Sequence, residues 1–333
     1  MQGAPLNVKV SLTQARIREW VNSYGESGVY ISFSGGKDST VLLHLVRELY
    51  PDIPAVFINT GLEYPEVQHF VRGFDNVTTL TPKQNFNQVL AKYGYPFLGK
   101  EIAKNIYYAR FGGKGNAHYL KMFALGKYQG SKYATTKYTE CLNLDFKIAP
   151  HCCDVMKKGP AHRYEKETGR KAFLGQVAEE SRLRTNQWLR HGCNAFDGNR
   201  PVSNPMAFWT EQDILQYIKS EGLKIASVYG EIVAADEDGY DYEQALFNNC
   251  EYRTTGCKRT GCIFCGFGAH LGKKGEGKFE MLKKTHPKQY DYCMGGGEYD
   301  PADGFWKPNK KGLGMAHCID ELCRHYGKDF IRY

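Results

Sequence analysis

Two sets of residues have the types and the spacing to carry chemistry. The first is SGGKDS, Ser34 to Ser39. Gly35 and Gly36 can take backbone angles that a side chain forbids, so successive N–H groups can converge on an anion at the positive end of a helix. Lys37 and the Ser34 and Ser39 hydroxyls add donors, and Asp38 can hold Mg²⁺ against bound phosphates. The pattern is not GxxxxGK[ST], because two glycines precede the lysine and an acid follows it. The second set is thiols: Cys152 and Cys153 in HCCDVMKKGP, then Cys250, Cys257, Cys262 and Cys265. Cys262 and Cys265 form a CxxC between glycines, which lets the chain curl so that both sulfurs face one centre. Neighbouring side chains diverge, so Cys152 and Cys153 suit different corners of a cubane cluster better than one small ion. A local zinc knot of Cys250, Cys257, Cys262 and Cys265 needs no long-range closure and stands beside the cluster as an alternative.

These residues need elements to hold them. The apolar run Val29 to Phe33 reads as a strand feeding the Ser-Gly-Gly turn, and Leu42, Leu43, Leu45 and Val46 mark an amphipathic helix after it. Strands follow at Pro54 to Asn59, Val77 to Leu80 and Lys171 to Ala178. Helices are predicted at Thr13 to Tyr24, Pro65 to Phe74 (with Pro at its first turn) and Phe86 to Tyr93. Thr210 caps a further helix with Asp213 at its N3 position. This alternation predicts an α/β fold with a doubly wound parallel sheet, whose ligands sit at the carboxyl ends of the strands. SGGKDS falls there, and so do Thr60, Gly61 and Glu63, candidates for the nucleotide rim. The segments 278–293 and 315–331 read as helices of a Cys-rich tail.

SGGKDS after a hydrophobic strand resembles the PP-loop of the ATP pyrophosphatases, which split ATP into AMP and pyrophosphate to adenylate a substrate. INTGLEYPEV, Ile58 to Val67, is similar to the second-strand motif of phosphoadenosine phosphosulfate reductases and of the ATP sulfurylase small subunit. The resemblance implies an adenine nucleotide alpha hydrolase-like sheet. Gly175, Glu180, Ser181 and Arg184 resemble family positions where the reductases bind sulfate or phosphate, and Lys157 joins them as a candidate for the substrate anion. The Cys pair with a distant CxxC resembles assimilatory adenosine phosphosulfate reductases. That implies a [4Fe-4S] cluster on Cys152, Cys153, Cys262 and Cys265, with Cys257 as a substitute for Cys152. Two departures matter. The reductases' C-terminal Glu-Cys-Gly motif is missing, and Cys323 in ELCRHYG reads as a buried helical cysteine. The loop SGGKDS is intact, whereas reductases usually carry a degenerate one.

The resemblance therefore implies an ATP-dependent iron-sulfur enzyme that adenylates a substrate for sulfur transfer, with Lys37, Asp38 and Arg184 as its catalytic residues. Two alternatives are a reductase of adenylyl or phosphoadenylyl sulfate that forms sulfite, and a nucleotide-binding regulator whose cluster senses redox state. The implied partners are ATP, a sulfur donor, and nucleic acid (tRNA or DNA) as acceptor, with a homo-oligomer compatible.

Whole-chain properties bound these readings. The 333 residues carry a net charge of +8, which favours polyanions without requiring nucleic acid. The N-terminus lacks a basic-then-apolar leader, and no apolar run approaches the roughly 18 residues of a membrane helix, so a cytoplasmic protein without membrane contact is expected. Eleven cysteines in that setting suit ligands rather than disulfides. The acidic DEDGYDY suggests a join between an α/β body, 1–235, and the Cys-rich region, 236–333. Residues 94–135 mix lysines with aromatic rings, a pattern that suits phosphates and stacked bases or a solvated helix face over a core.

Overall fold

A computed structural model describes residues 1–125, 135–198, 200–234 and 251–333. Cys250, the DEDGYDY stretch and residues 126–134 of the basic and aromatic region lie outside the described residues. The chain folds into two compact units: 1–59, 63–81 and 160–261 form the first, and 60–62, 82–159 and 262–333 the second. The division therefore does not follow a single join near 235, because 82–159 packs with the C-terminal residues.

The first unit is built on a six-stranded sheet. Its strands are β1 (Val29–Ser32), β2 (Ala55–Ile58), β3 (Val77–Leu80), β4 (Lys171–Leu174), β5 (Asn194–Ala195) and β6 (Val202–Ser203), in the order β3-β2-β1-β4-β6-β5. All neighbours are parallel except β5 and β6. β1 lies between β2 and β4, where the strand order reverses, and in such sheets the crevice at the reversal is the ligand site. Central position explains the sequence of β1: Val29 and Ile31 are fully buried and Tyr30 nearly so. The edge strand β3 is half exposed and carries two threonines. A small antiparallel pair, β7 (Ile232–Ala234) with β8 (Tyr252–Thr254), also belongs to this unit.

The first helix begins at Leu6 rather than Thr13. Val8 and Val10 weaken its helix propensity, but Ile17, Trp20 and Val21 bury against the sheet and tertiary packing decides. Lys9 Nζ is buried against Asp213 Oδ2 at 2.6 Å. The same carboxylate accepts from Thr210 N–H at 2.6 Å and Thr210 Oγ1 at 2.8 Å. Thr210 Oγ1 in turn accepts from Asp213 N–H, completing the expected capping box of the helix Glu211–Ser220.

The second unit is mainly helical and packs around Tyr95, Phe97, Phe146, Phe279 and Leu322, all buried. Its last two strands, β9 (Glu298–Tyr299) and β10 (Trp306–Lys307), form an antiparallel pair. The helix expected over 278–293 is two helices, Lys278–Thr285 and Pro287–Met294, because Pro287 cannot continue the first and starts the second. Cys293 and Cys318 are fully buried, whereas Cys323 is half-buried with its Sγ 3.5 Å from the Ile331 carbonyl. Arg110 donates to the Phe146 and Leu144 carbonyls at 2.7 and 2.6 Å, so this cation of the 94–135 region is spent on the fold.

Candidate functional site

The first unit holds the glycine loop. β1 leads through Phe33 into Ser34, and the helix Lys37–Leu49 begins two glycines later. Gly35 has φ +71°, and a Cβ there would lie 2.6 Å from Val71 Cγ2 and 2.8 Å from Val67 Cγ1, so the position excludes any side chain. The serines knit the turn together. Ser34 Oγ lies 3.0 Å from Ser39 Oγ and accepts from Gly36 N–H at 3.3 Å, and Ser39 Oγ donates to the Gly36 carbonyl at 2.9 Å. Gly175, at the end of β4, closes the other side: a Cβ there would stand 3.1 Å from Asp38 O and Ser39 Cα. This residue lets β4 approach the helix start through its backbone.

Lys37 is 3% exposed and its ammonium is fully engaged in the unit, 3.0 Å from Glu211 Oε1 and 2.9 Å from the Lys258 carbonyl. Its backbone N–H donates to the Tyr229 hydroxyl at 3.2 Å, and that oxygen is 2.6 Å from Thr260 Oγ1. Burial pushes the Tyr229 phenol up, so it stays neutral as an acceptor. Burial also raises the Asp38 carboxyl, opposed by Lys37, Arg259 and Arg184 and assisted by Glu211. Arg184 is drawn below the usual guanidinium range by burial and by Arg259, while Asp38 holds it up. Arg184 pairs with Glu180, which also lies 3.7 Å from Arg259. Ser181 caps the helix Arg182–His191 by accepting from Arg184 N–H at 3.3 Å.

Ser34 through Ser39, Gly175, Glu180, Ser181 and Arg184 thus share one unit, with Glu63. Thr60 and Gly61 belong to the second unit, where Thr60 Oγ1 accepts from Leu62 N–H at 3.2 Å. Lys157 also belongs to the second unit, beside the cysteines. Sequence reasoning missed Glu211, Tyr229, Arg259 and Thr260. Glu211 sits inside the Thr210–Asp213 capping box, which reads as purely structural, and the basic Lys258-Arg259 just before the CxxC was the other available signal.

The second unit gathers Cys152, Cys153, Cys262 and Cys265 around one cavity whose other walls are Leu62, Phe86, Pro96, Met156 and Lys157. Ile263 N–H donates to the Leu62 carbonyl at 2.8 Å, and Lys278 Nζ to the Cys262 carbonyl at 2.7 Å, which fixes the CxxC loop. Cys152 and Cys153 are hydrogen-bonded to each other. That bond, with burial, keeps the proton on Cys152; the same bond, with Lys100 and Lys157 against burial, favours the Cys153 thiolate. Four sulfurs in an apolar pocket flanked by ammonium groups are a donor set suited to an iron-sulfur cluster, and tetrahedral zinc takes the same donors. Cys257 lies in the first unit, hydrogen-bonded with Tyr64. It therefore stands in a different unit from Cys262 and Cys265, its partners in the alternative zinc knot.

A family model described as the phosphoadenosine phosphosulfate reductase domain matches residues 28–97 and 123–265. The sulfate adenylyltransferase subunit 2 of Shewanella frigidimarina is 24% identical over 271 residues, covering 72% of this chain and 77% of that protein. A phosphoadenosine 5'-phosphosulfate reductase of Buchnera aphidicola is 42% identical over 67 residues, 20% of this chain and 28% of that protein. The crystal structure of phosphoadenylyl-sulfate reductase from Candida auris, a phosphate complex, aligns over 65% of this chain and 82% of its own. Its identity is 14% and its TM-score 0.38. Well over half of the sequence lies within the family match, including the glycine loop and both pairs of cavity cysteines, and the chain belongs to the phosphoadenosine phosphosulfate reductase family.

Proposed function

We propose that the protein splits ATP into AMP and pyrophosphate to adenylate an oxygen-bearing substrate for sulfur transfer. The observation that carries this reading is the intact loop: Lys37 and Asp38 are both present at the reversal point of the sheet, with Arg184 and Arg259 close enough to shift the carboxyl of Asp38. A protein that only bound a nucleotide would not need that concentration of charge.

In this reading the loop N–H groups, the Ser34 and Ser39 hydroxyls and Lys37 hold the β- and γ-phosphates. An arriving phosphate oxygen replaces Tyr229 as acceptor for the Lys37 N–H and replaces Glu211 beside its ammonium. Asp38 would hold Mg²⁺, which when bound would neutralise charge on the phosphates. Arg184 orients the anionic substrate by charge-assisted hydrogen bonds. The substrate oxygen attacks the α-phosphorus, the bond to the bridging oxygen breaks, and the electron pair leaves with pyrophosphate, whose growing charge Lys37 neutralises. A sulfur nucleophile then attacks the substrate atom that bears the adenylated oxygen, and the bond to that oxygen breaks as AMP leaves with it and its electron pair. Nucleic acid, as tRNA or DNA, is the acceptor class that the basic balance of the chain favours.

Cys152, Cys153, Cys262 and Cys265 would hold a [4Fe-4S] cluster, which when bound supplies sulfur handling or electron transfer; zinc on the same thiolates would be structural. Anaerobic purification with iron, sulfide and zinc analysis separates the two. About four irons per chain with visible charge-transfer absorbance supports the cluster, and one zinc without iron removes it. An ATP–pyrophosphate exchange screen over tRNA, DNA and small acids tests the adenylation itself. Sulfite production from adenylyl sulfate without ATP would replace this reading with the reductase.

A further inference from the structure

The second unit contains a polar cluster that neither the glycine loop nor the cysteine cavity uses. Asp145, His317 and Glu321 each present a ligand atom, and these atoms lie within 4.8 Å of one another. His317 and Glu321 are one helical turn apart on the helix Met315–Tyr326, so they share a face. His317 Nε2 is 2.8 Å from Asp145 Oδ2. The imidazole is clamped by Trp306, whose ring stacks on it at 4.2 Å between centroids. The Tyr299 hydroxyl donates to the same Asp145 oxygen. The other oxygen, Asp145 Oδ1, is buried and has no hydrogen-bond partner among the described residues. A buried carboxylate oxygen left unpaired costs free energy unless something positive meets it.

Arg110 acts on Asp145 electrostatically but spends its donors on the Phe146 and Leu144 carbonyls, and two lysines of this unit are also committed elsewhere. Lys147 is taken by Asp303 at 2.8 Å, and Lys307 by Asp300 and Asp303 at 2.7 and 2.9 Å. Two carboxylates and an imidazole make a mixed oxygen and nitrogen donor set for a divalent ion, which would share the Glu321 carboxylate with its present partner Arg324. One nitrogen and two oxygen donors suit zinc and its neighbours rather than calcium or magnesium, which take oxygen ligands alone.

We propose that Asp145, His317 and Glu321 bind one zinc-like divalent transition ion. Bond lengths of about 2.0 to 2.2 Å place tetrahedral ligands about 3.3 Å apart, so side-chain movements of an ångström or so close the site without backbone change. Tyr299 donates its hydroxyl proton to Asp145 and orients the carboxylate from outside the coordination shell. The fourth position is left to solvent. Asp145 also accepts from Trp306 N–H through its carbonyl at 2.8 Å. The ion therefore ties the β9–β10 pair, the segment around Asp145 and the helix Met315–Tyr326 together.

The test is cobalt titration of the full chain after its cysteine site has been filled. One equivalent should bind with visible ligand-field bands but no thiolate-to-cobalt charge transfer, and zinc should displace it. His317→Gln and Glu321→Gln should each weaken binding roughly a hundredfold or more, and Tyr299→Phe roughly tenfold or more while preserving the fold. Zinc should raise the thermal midpoint of the wild type and not that of His317→Gln. Cobalt bound with thiolate charge transfer alone, no cobalt bound, or unchanged affinity in both His317→Gln and Tyr299→Phe overturns the proposal.

Discussion

Replacing Gly35 by alanine asks whether the loop is as tightly built as its geometry states. The added methyl would sit 2.6 Å from Val71 Cγ2 and 2.8 Å from Val67 Cγ1, against contacts near 3.5 Å or more for relaxed carbons. Holding a non-glycine residue at φ +71° costs about 1–2 kcal/mol. Forcing a methyl into a packed site costs about 1–3 kcal/mol more. The sum, about 2–5 kcal/mol, should appear as a lower urea midpoint with unchanged slope. Two controls separate the parts. Gly169→Ala, at φ +74° with nothing within 4 Å of the new Cβ, should show the conformational part alone, about 1–2 kcal/mol. Adding Val71→Ala to Gly35→Ala should recover part of the packing cost, so that the double variant is less destabilised than the sum of the singles. A Gly35→Ala loss under about 0.5 kcal/mol, or strict additivity with Val71→Ala, would refute the reasoning.

Asp213→Ala should destabilise the first unit by about 3–5 kcal/mol, because it strands the buried ammonium of Lys9 and removes the carboxylate half of the capping box; chemical denaturation reads this directly. Burial, with Lys137 nearby, holds the imidazole of His270 below its ordinary value of 6.5. The unfolded chain then binds the proton that the folded one resists, so stability is full above about pH 6.5 and falls as the pH drops below it. Urea midpoints compared between mildly alkaline and mildly acidic buffer should show the loss, and His270→Gln should lessen it, leaving the part due to His151, whose imidazole burial also holds low. Glu211→Gln should tighten ATP binding by a few-fold, since it removes the carboxylate that competes for Lys37 across a partly exposed pair worth up to about 1 kcal/mol; calorimetric titration measures it, and weaker binding would contradict the role assigned to Glu211.

The parallel sheet and its loop were legible because their signals are local. A buried central strand must be apolar, and a turn that no side chain can enter must be glycine, so Val29 to Gly36 announces itself. The pairing of Cys152 and Cys153 with Cys262 and Cys265 was legible through the motif resemblance, while spacing alone left the zinc knot open. Other features depend on tertiary contact and leave no trace in sequence. Lys9 looks like an ordinary helix cation until Asp213, more than two hundred residues away, is seen against it. Tyr229 and Glu211 meet Lys37 only through folding. The membership of 82–159 in the second unit was hidden for the same reason, since its helices read locally like any that cover a sheet.

The central claim is that the intact loop splits ATP, and Lys37→Ala tests it most directly. Pyrophosphate release is followed for the wild type and the variant with the acceptor class that supports exchange, alongside the visible absorbance of the cysteine site. The account predicts pyrophosphate from the wild type, none above background from the variant, and the same absorbance in both. Pyrophosphate release by Lys37→Ala at the wild-type rate, or ATP-independent sulfite formation by the wild type, would contradict it.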